Sequence, residues 1–374
     1  MFKKFHIRQY NLRLLLMVTV AIVFGIIMVN SANPSFTKKN IIGATLAICV
    51  MLAVTLIDYR RLARFSWLFY VMNLLILLLV RIPGIGYNIN GATRWIRFGG
   101  IQFQPSEFSK VFLIIFVAAY ISERANRLNT IRTLGTLALL MIPPLVLIKS
   151  QPDLSTTLII AFIMIAIVFL GGLSMKLIAI VSAILVPTTI GLLWYIRQPW
   201  QKLLHGWQQR RVLSFFRPQD YLSAESYQQL NSMLAIGSGK LWGNGLNNDL
   251  PSSVKNANYL PEPQTDFIFA IIGEDLGFAG TVFTIIILLI IVYLLFGIAR
   301  RTESLFGRLL AGGTACYIGL QTFVNIGVVT LLLPNTGLPL PFISYGLTSL
   351  FSSCILIGIC LNIDRQNRLS YTKF

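Results

Sequence analysis

Acidic residues, histidine and cysteine are all scarce in this sequence. Among 374 residues there are 13 Asp and Glu, two His and four Cys. Zinc sites are built mainly from Cys and His, so the scarcity of these residues argues against a zinc protein. The cysteines lie in apolar runs without a CxxC pair, which argues against a disulfide framework or a redox motif. No Walker, Rossmann or GxSxG signature stands in a suitable context, so neither a nucleotide-binding fold nor a serine hydrolase is predicted.

Long apolar runs are abundant instead. Hydrophobic residues make up 55% of the chain, and the mean hydropathy is +0.72. Runs of about 18 residues can cross the ~30 Å hydrocarbon layer of a membrane. We therefore predict an all-α fold, a polytopic membrane protein with about ten transmembrane helices in one domain over residues 1–374. The runs cover residues 13–31, 40–57, 64–82, 105–122, 132–149, 154–173, 175–196, 266–299, 308–333 and 341–362.

The net charge of +18 is distributed as in a membrane protein and not as in a nucleic-acid-binding one. Basic residues are concentrated in alternate loops, which by the positive-inside rule places both termini in the cytoplasm. Basic clusters beside helices also favour anionic membrane lipids. The basic residues on the predicted cytoplasmic side are Lys3, Lys4, Arg8, Arg13, Arg60, Arg61, Arg64, Arg124, Arg127, Arg132, Lys176, Arg300, Arg301, Arg308, Arg365, Arg368 and Lys373.

One loop, residues 197–265, is much longer than the others and is predicted to be extracytoplasmic. Trp200 and Trp207 recur at helical spacing with two leucines between them, which is typical of a helix lying in the membrane interface. A second short helix is predicted near 224–236. The glycine-rich segment Gly237–Gly245 either binds anionic oxygens through its amides or forms an ordinary turn, and the sequence favours neither.

Several ionisable residues adjoin the outer ends of the predicted helices. Glu107 and Lys110 lie at i and i+3 after Pro105, either as a structural pair or as a wall of a substrate groove. Asp153 either caps the following helix or contacts a substrate. Asp266 stands where the polar loop meets an apolar run, and a carboxylate at such a boundary needs a partner or a function.

Two further acids follow Asp266 in the same apolar run. Glu274 and Asp275 are predicted to lie two to three turns deeper in the helix. Acids inside a membrane are functional candidates, although a buried polar network explains them equally simply.

Seven motifs are spread over nearly the whole chain. They are Gly91-Ala-Thr-Arg-Trp-Ile, Gln104-Pro-Ser-Glu-Phe-Ser-Lys, Gln151-Pro-Asp-Leu, Gln209-Arg-Arg-Val, Ala235-Ile-Gly-Ser-Gly, Leu260-Pro-Glu-Pro-Gln-Thr-Asp-Phe-Ile-Phe-Ala and Pro339-Leu-Pro-Phe-Ile-Ser-Tyr-Gly. Together, in this order, they resemble the SEDS (shape, elongation, division and sporulation) family of RodA/FtsW-type peptidoglycan glycosyltransferases. Two positions depart from the usual pattern of that family: Lys240, where a second glycine is common, and the Gly-Leu-Thr after Tyr345.

The resemblance implies polymerisation of lipid II at the outer face of the bacterial cytoplasmic membrane. Asp266 would be the catalytic residue, acting as general base on a sugar hydroxyl. Either arginines or a divalent cation, Mg²⁺ or Mn²⁺, would neutralise the pyrophosphate leaving group; no cofactor is certain. A class B penicillin-binding protein would be the partner transpeptidase. The other predicted substrate-binding residues are Arg94, Trp95, Glu107, Lys110, Asp153, Arg210, Arg211, Glu262 and Thr265.

Two other functions remain open from the sequence. A lipid II flippase would need charged groups along a path through the bilayer, whereas the acids here cluster near one boundary. A non-catalytic scaffold of a cell-wall synthase complex would not need the intact Thr265-Asp266-Phe267 motif.

Overall fold

Helices account for most of the chain in the computed structural model, which describes residues 11–89, 92–98, 101–198, 200–203, 209, 213, 227–248, 253–257 and 259–371. Three short strands lie between the fourth and fifth helices. The elements are α1 (Leu12–Ala32), α2 (Thr37–Val54), α3 (Tyr59–Arg64), α4 (Ser66–Leu79), β1 (Gly86–Ile89), β2 (Ala92–Phe98), β3 (Ile101–Phe103), α5 (Pro105–Glu123), α6 (Ile131–Lys149), α7 (Leu154–Leu170), α8 (Met175–Ile196), α9 (Tyr227–Ser238), α10 (Ile268–Arg301), α11 (Leu305–Val329) and α12 (Leu347–Tyr371).

Each of the ten predicted apolar runs coincides with one of these helices, and the all-α membrane fold is confirmed. Within the described residues, seven helices are long and apolar enough to cross a membrane, and α4 and α7 are shorter apolar helices. Helices α6 and α8 continue through their internal prolines, as expected where neighbouring groups satisfy the freed carbonyls. The predicted short helix in the long loop is α9.

Helix α5 forms the centre of the bundle. Its residues from Val111 to Ile121 are almost all buried, and it packs against α4, α7, α11 and α12. The end of the bundle at which α5 begins is also the end at which α1 and α11 finish and α10 and α12 start. We call this the loop end, because the strands and the described parts of the long loop connect there.

A small antiparallel sheet that the sequence analysis did not predict lies at the loop end, in the order β1-β2-β3. Tyr87 pairs with Trp95, and Ile96 with Phe103. Strand pairing satisfies backbone groups that the connection between two membrane helices would otherwise expose.

Helix α10 is interrupted at Gly277, whose φ of 64° and ψ of −158° are not helical. At this break the amides of Phe278 and Ala279 no longer bond to carbonyls four residues earlier. They donate instead to the carbonyls of Lys240 and Leu241, at 2.9 and 3.1 Å. The predicted continuous helix is therefore two helical parts, residues 268–276 and 278–301, on either side of Gly277.

The carbonyls freed by the same break also find partners in the glycine-rich segment. The carbonyls of Glu274 and Asp275 accept from the amides of Asn244 and Gly245, at 2.9 and 3.0 Å. A Cβ on Gly243 would lie 2.2 Å from the Asp275 carbonyl oxygen, so only glycine allows this approach. Of the two interpretations of this segment, the structure favours the turn: these two amides bind protein carbonyls.

The side chains of Glu274 and Asp275 are fully buried and fasten the loop to α10. Lys255 Nζ lies 3.0 Å from Asp275 Oδ1, and Ser31 Oγ donates to Asp275 Oδ2 at 2.5 Å. Glu274 Oε1 accepts from the amide of Val254 at 2.8 Å. Because Ser31 lies one residue before the end of α1, these acids are at the loop end. Of the two interpretations of these acids, the structure favours the buried polar network.

Candidate active site

Asp266 is half-buried in the turn immediately before α10. Its backbone carbonyl accepts from Asn325 Nδ2 at 2.8 Å, and the carbonyl of Gln264 accepts from the amide of Tyr345 at 2.8 Å. A Cβ on Gly337 would lie 3.2 Å from Asp266 Oδ2, so the backbone at Gly337 passes beside the carboxylate. The turn that carries Asp266 is thus held by α11 and by the segment between α11 and α12.

Two buried amides on one face of α11 hold that segment. Gln321 Nε2 donates to the Pro339 carbonyl at 2.8 Å, and Asn325 Nδ2 donates to the Leu338 carbonyl at 2.6 Å. Both side chains are at most 1% exposed. Sequence analysis missed these residues, although two amides four residues apart in an apolar helix are a signal of a polar site.

Glu107 and Lys110 form the predicted pair, with Lys110 Nζ 2.7 Å from Glu107 Oε1. Their exposures are 2% and 0%, so neither presents a surface to a ligand in this conformation. Lys110 Nζ also donates to Gln321 Oε1 at 2.8 Å and lies 4.9 Å from the centroid of the Tyr317 ring. Glu107 Oε2 has no hydrogen-bond partner within the described residues. Through Gln321, the ion pair is one helical turn from the amide that holds Asp266.

Asp153 is the N-cap of α7, as one of the two interpretations predicted. Its Oδ1 accepts from the amide of Thr156 at 3.1 Å. Its Oδ2 lies 3.4 Å from Gln104 Nε2, and the side chain is 4% exposed. The second oxygen therefore links α7 to the residue that precedes α5.

Arg94 on β2 is directed at the turn between α6 and α7. Its Nε donates to the Gln151 carbonyl at 3.0 Å, and its Nη2 donates to the Pro152 carbonyl. Beside this contact lies an open cleft of about 510 Å³, whose lining includes Arg81 and Thr93 but not Asp266. Trp95, the next residue of β2, is half-buried. The structure therefore places Arg94 and Trp95 on β2 at the loop end, with Arg94 bound to two residues that line this cleft.

Glu262 and Thr265 form the turn that precedes Asp266. The Glu262 carbonyl accepts from the Thr265 amide at 3.1 Å and from its Oγ1 at 2.8 Å. Glu262 has a φ of 49°, and its side chain is exposed. Arg210 and Arg211 lie outside the described residues. In the part of the chain that the structure covers, no three His, Cys, Asp or Glu side chains gather as metal ligands.

These features define a multi-pass helical membrane protein whose polar site lies at one end of the bundle, beside the start of α10. The chain belongs to the FtsW/RodA/SpoVE family of cell cycle proteins, which matches residues 5–369. The membership inferred from the sequence motifs is therefore confirmed.

Curated relatives are similar over almost their whole length. A probable peptidoglycan glycosyltransferase FtsW of Trichlorobacter lovleyi is 35% identical, over 98% of this chain and 96% of the relative. Stage V sporulation protein E of Bacillus subtilis is 34% identical, over 96% and 98%. This FtsW relative and this sporulation relative are thus about equally similar, so the percentage of sequence identity to these two does not assign the chain to one process.

Solved structures agree in fold. One comes from work on how a peptidoglycan synthase complex coordinates polymerization and crosslinking. It matches with a TM-score of 0.78 at 27% identity, over 96% of this chain and 98% of that one. The rod shape determining protein RodA of Thermus thermophilus matches with a TM-score of 0.67 at 26% identity, over 96% and 97%.

Proposed function

We propose that this protein polymerises lipid II into glycan strands, with Asp266 as the general base. The observation that carries the proposal is the placement of Asp266. It is half-buried in the turn immediately before α10, and that turn is held by α11 and by the segment before α12. Relatives named peptidoglycan glycosyltransferase support the same activity.

The reaction joins the 4-hydroxyl of one lipid II sugar to the anomeric carbon of the growing chain. The new bond forms between that oxygen and C1. The bond from C1 to the pyrophosphate oxygen breaks, and the lipid pyrophosphate leaves with the electron pair. Asp266 takes the hydroxyl proton as the oxygen attacks. Because a neutral sugar hydroxyl is a weak nucleophile and C1 acquires oxocarbenium character, a positioned carboxylate favours this step.

The predicted substrate-binding residues take different parts in this scheme. Glu107 and Lys110 are buried against each other and support α11, so we assign them a structural role beneath the site. Arg94 directs two of its five N–H donors at backbone carbonyls, which leaves it a secondary candidate for the pyrophosphate. Arg210 and Arg211 in the long loop are the primary candidates, because a guanidinium binds phosphate oxygens in a bidentate manner.

The loop end is the outer face of the cytoplasmic membrane in this proposal, with both termini inside. The polyprenyl tail of the substrate stays in the bilayer while its sugars reach the polar turn that carries Asp266. A class B penicillin-binding protein then crosslinks the strands. A structural neighbour that belongs to a peptidoglycan synthase complex supports this partnership.

Purified protein incubated with lipid II tests the proposal directly. Asp266→Asn keeps the shape of the side chain but cannot accept a proton, so we expect polymerisation to fall by about 10²–10⁴-fold. Asp153→Asn is the matched control, because it alters a carboxylate that serves as a helix cap. Thermal stability is measured on the same samples to exclude unfolding.

An Asp266→Asn protein that polymerises at the wild-type rate would refute the assignment of the base. A wild-type protein that moves lipid II across liposomes without polymerising it would favour the flippase alternative. Inactivity of the wild type both alone and with a transpeptidase partner would favour the scaffold.

A further inference from the structure

We infer that Asn325 is a positioning residue that sets the location of the Asp266 carboxylate, together with Gly337; this inference rests on the proposed function. Asn325 Nδ2 donates to two carbonyls at once, those of Asp266 at 2.8 Å and of Leu338 at 2.6 Å. One buried amide therefore joins the turn that carries the acid to the segment that passes beside it.

The bond from Asn325 lies where the chain enters α10. The amide of Ala270 bonds to the carbonyl of Phe267 at 2.9 Å, and Asn325 Nδ2 donates to the carbonyl of Asp266, one residue earlier, at 2.8 Å. Because the Asn325 side chain is only 1% exposed, leaving its amide without an acceptor would be costly, and its bond holds the peptide that carries the carboxylate.

Gly337 limits the carboxylate from the other side. Its φ of 67° is in the left-handed region, and an added Cβ would lie 3.2 Å from Asp266 Oδ2. That distance is tighter than ordinary contact, so a methyl group there displaces the carboxylate by a few tenths of an ångström. The segment that contains Gly337 and Leu338, the Asn325 amide and the Asp266 turn therefore contact one another, so a shift in one of them displaces the Asp266 carboxylate.

The chain offers a matched control for each residue. Gln229 is also a buried amide whose Nε2 donates to two backbone carbonyls, those of Val328 and Leu333, at 2.7 and 2.8 Å. It fixes the end of α11 and, among the described residues, has no bond to the Asp266 turn. Gly84 also has a positive φ, 89°, but a Cβ there meets no atom of the described residues within 4 Å.

The test compares Asn325→Leu with Gln229→Met and Gly337→Ala with Gly84→Ala, in lipid II polymerisation by the purified full chain. Displacement of a catalytic group by about 1 Å costs about 100-fold in rate, so Asn325→Leu should lower kcat by about that factor with KM little changed. The smaller displacement in Gly337→Ala should lower kcat by about 10-fold. Both control variants should lose comparable thermal stability while keeping kcat within about threefold of wild type.

The outcomes separate the inference from the function on which it rests. A wild type without polymerase activity overturns both together. An active wild type, an inactive Asp266→Asn and an undiminished kcat in Asn325→Leu overturn the inference alone. Equal losses of kcat in Asn325→Leu and Gln229→Met also overturn it, because the effect would then belong to α11 packing in general.

Discussion

The buried ion pair of α5 makes a quantitative prediction about stability. Glu107 Oε1 and Lys110 Nζ are 2.7 Å apart, and both side chains are almost completely buried. At an effective dielectric constant of about 20, their attraction is about 6 kcal/mol, and most of it offsets the loss of hydration. Removing one partner leaves the other charge buried, which typically costs about 3–5 kcal/mol.

The two single substitutions should not lower the free energy of unfolding equally. Lys110→Met leaves Glu107 without its one hydrogen-bond partner within the described residues, so we expect the loss to lie near the upper end of that range. Glu107→Gln leaves Lys110 with Gln321 Oε1 and the Tyr317 ring, so the loss should be smaller. The double variant should be more stable than Lys110→Met alone, because no uncompensated charge remains.

Unfolding free energies in mixed detergent micelles measure these differences. Glu123→Gln is the control on the same helix, since Glu123 pairs with Arg124 at 3.1 Å on the exposed surface. It should cost less than about 1 kcal/mol. A Lys110→Met protein no less stable than Glu123→Gln would refute the reasoning, since the pair would then be hydrated in solution.

Three further predictions follow from the loop and the helix ends. Arg210→Ala or Arg211→Ala should lower kcat/KM for lipid II by about tenfold with little change in stability, and lysine should substitute only in part. Wild-type rates in both alanine variants would show that other residues bind the pyrophosphate. Reporter fusions after Trp242 and after Arg301 should lie on opposite sides of the membrane. If the reporter after Trp242 were cytoplasmic, the proposed orientation of the protein in the membrane would be wrong. Lys240→Gly should raise the unfolding free energy by about 1 kcal/mol, because Lys240 has a φ of 49°; a loss of stability would contradict this account of strain.

The sequence predicted the helices well because lipid imposes one simple rule on them. A run such as 105–122 must be apolar, about 18 residues long and helical, and the structure has Pro105–Glu123. The pair of Glu107 with Lys110 and the cap at Asp153 were also accessible, since both are local in sequence.

The features that were not predicted depend on contacts between distant segments. The break at Gly277 follows Glu274 and Asp275 in an otherwise apolar run, and these acids signal a polar contact but do not indicate that residues 240–245 replace the hydrogen bonds of the helix. The bond from Asn325 to Asp266 joins residues 59 positions apart. Spacing along one helix cannot reveal such a contact, although the polarity of Asn325 marks it as a residue with a partner.

The break in α10 also has a consequence for how the protein is made. Residues 240–245 are synthesised before residues 274–279, so the segment that supplies the replacement hydrogen bonds leaves the ribosome before the helix that needs them. Four backbone groups would otherwise enter a low-dielectric region unpaired, at several kcal/mol in total. The glycine-rich segment is therefore already synthesised when α10 forms, and we expect the two to dock together, so that the helix break and the loop fold as one unit.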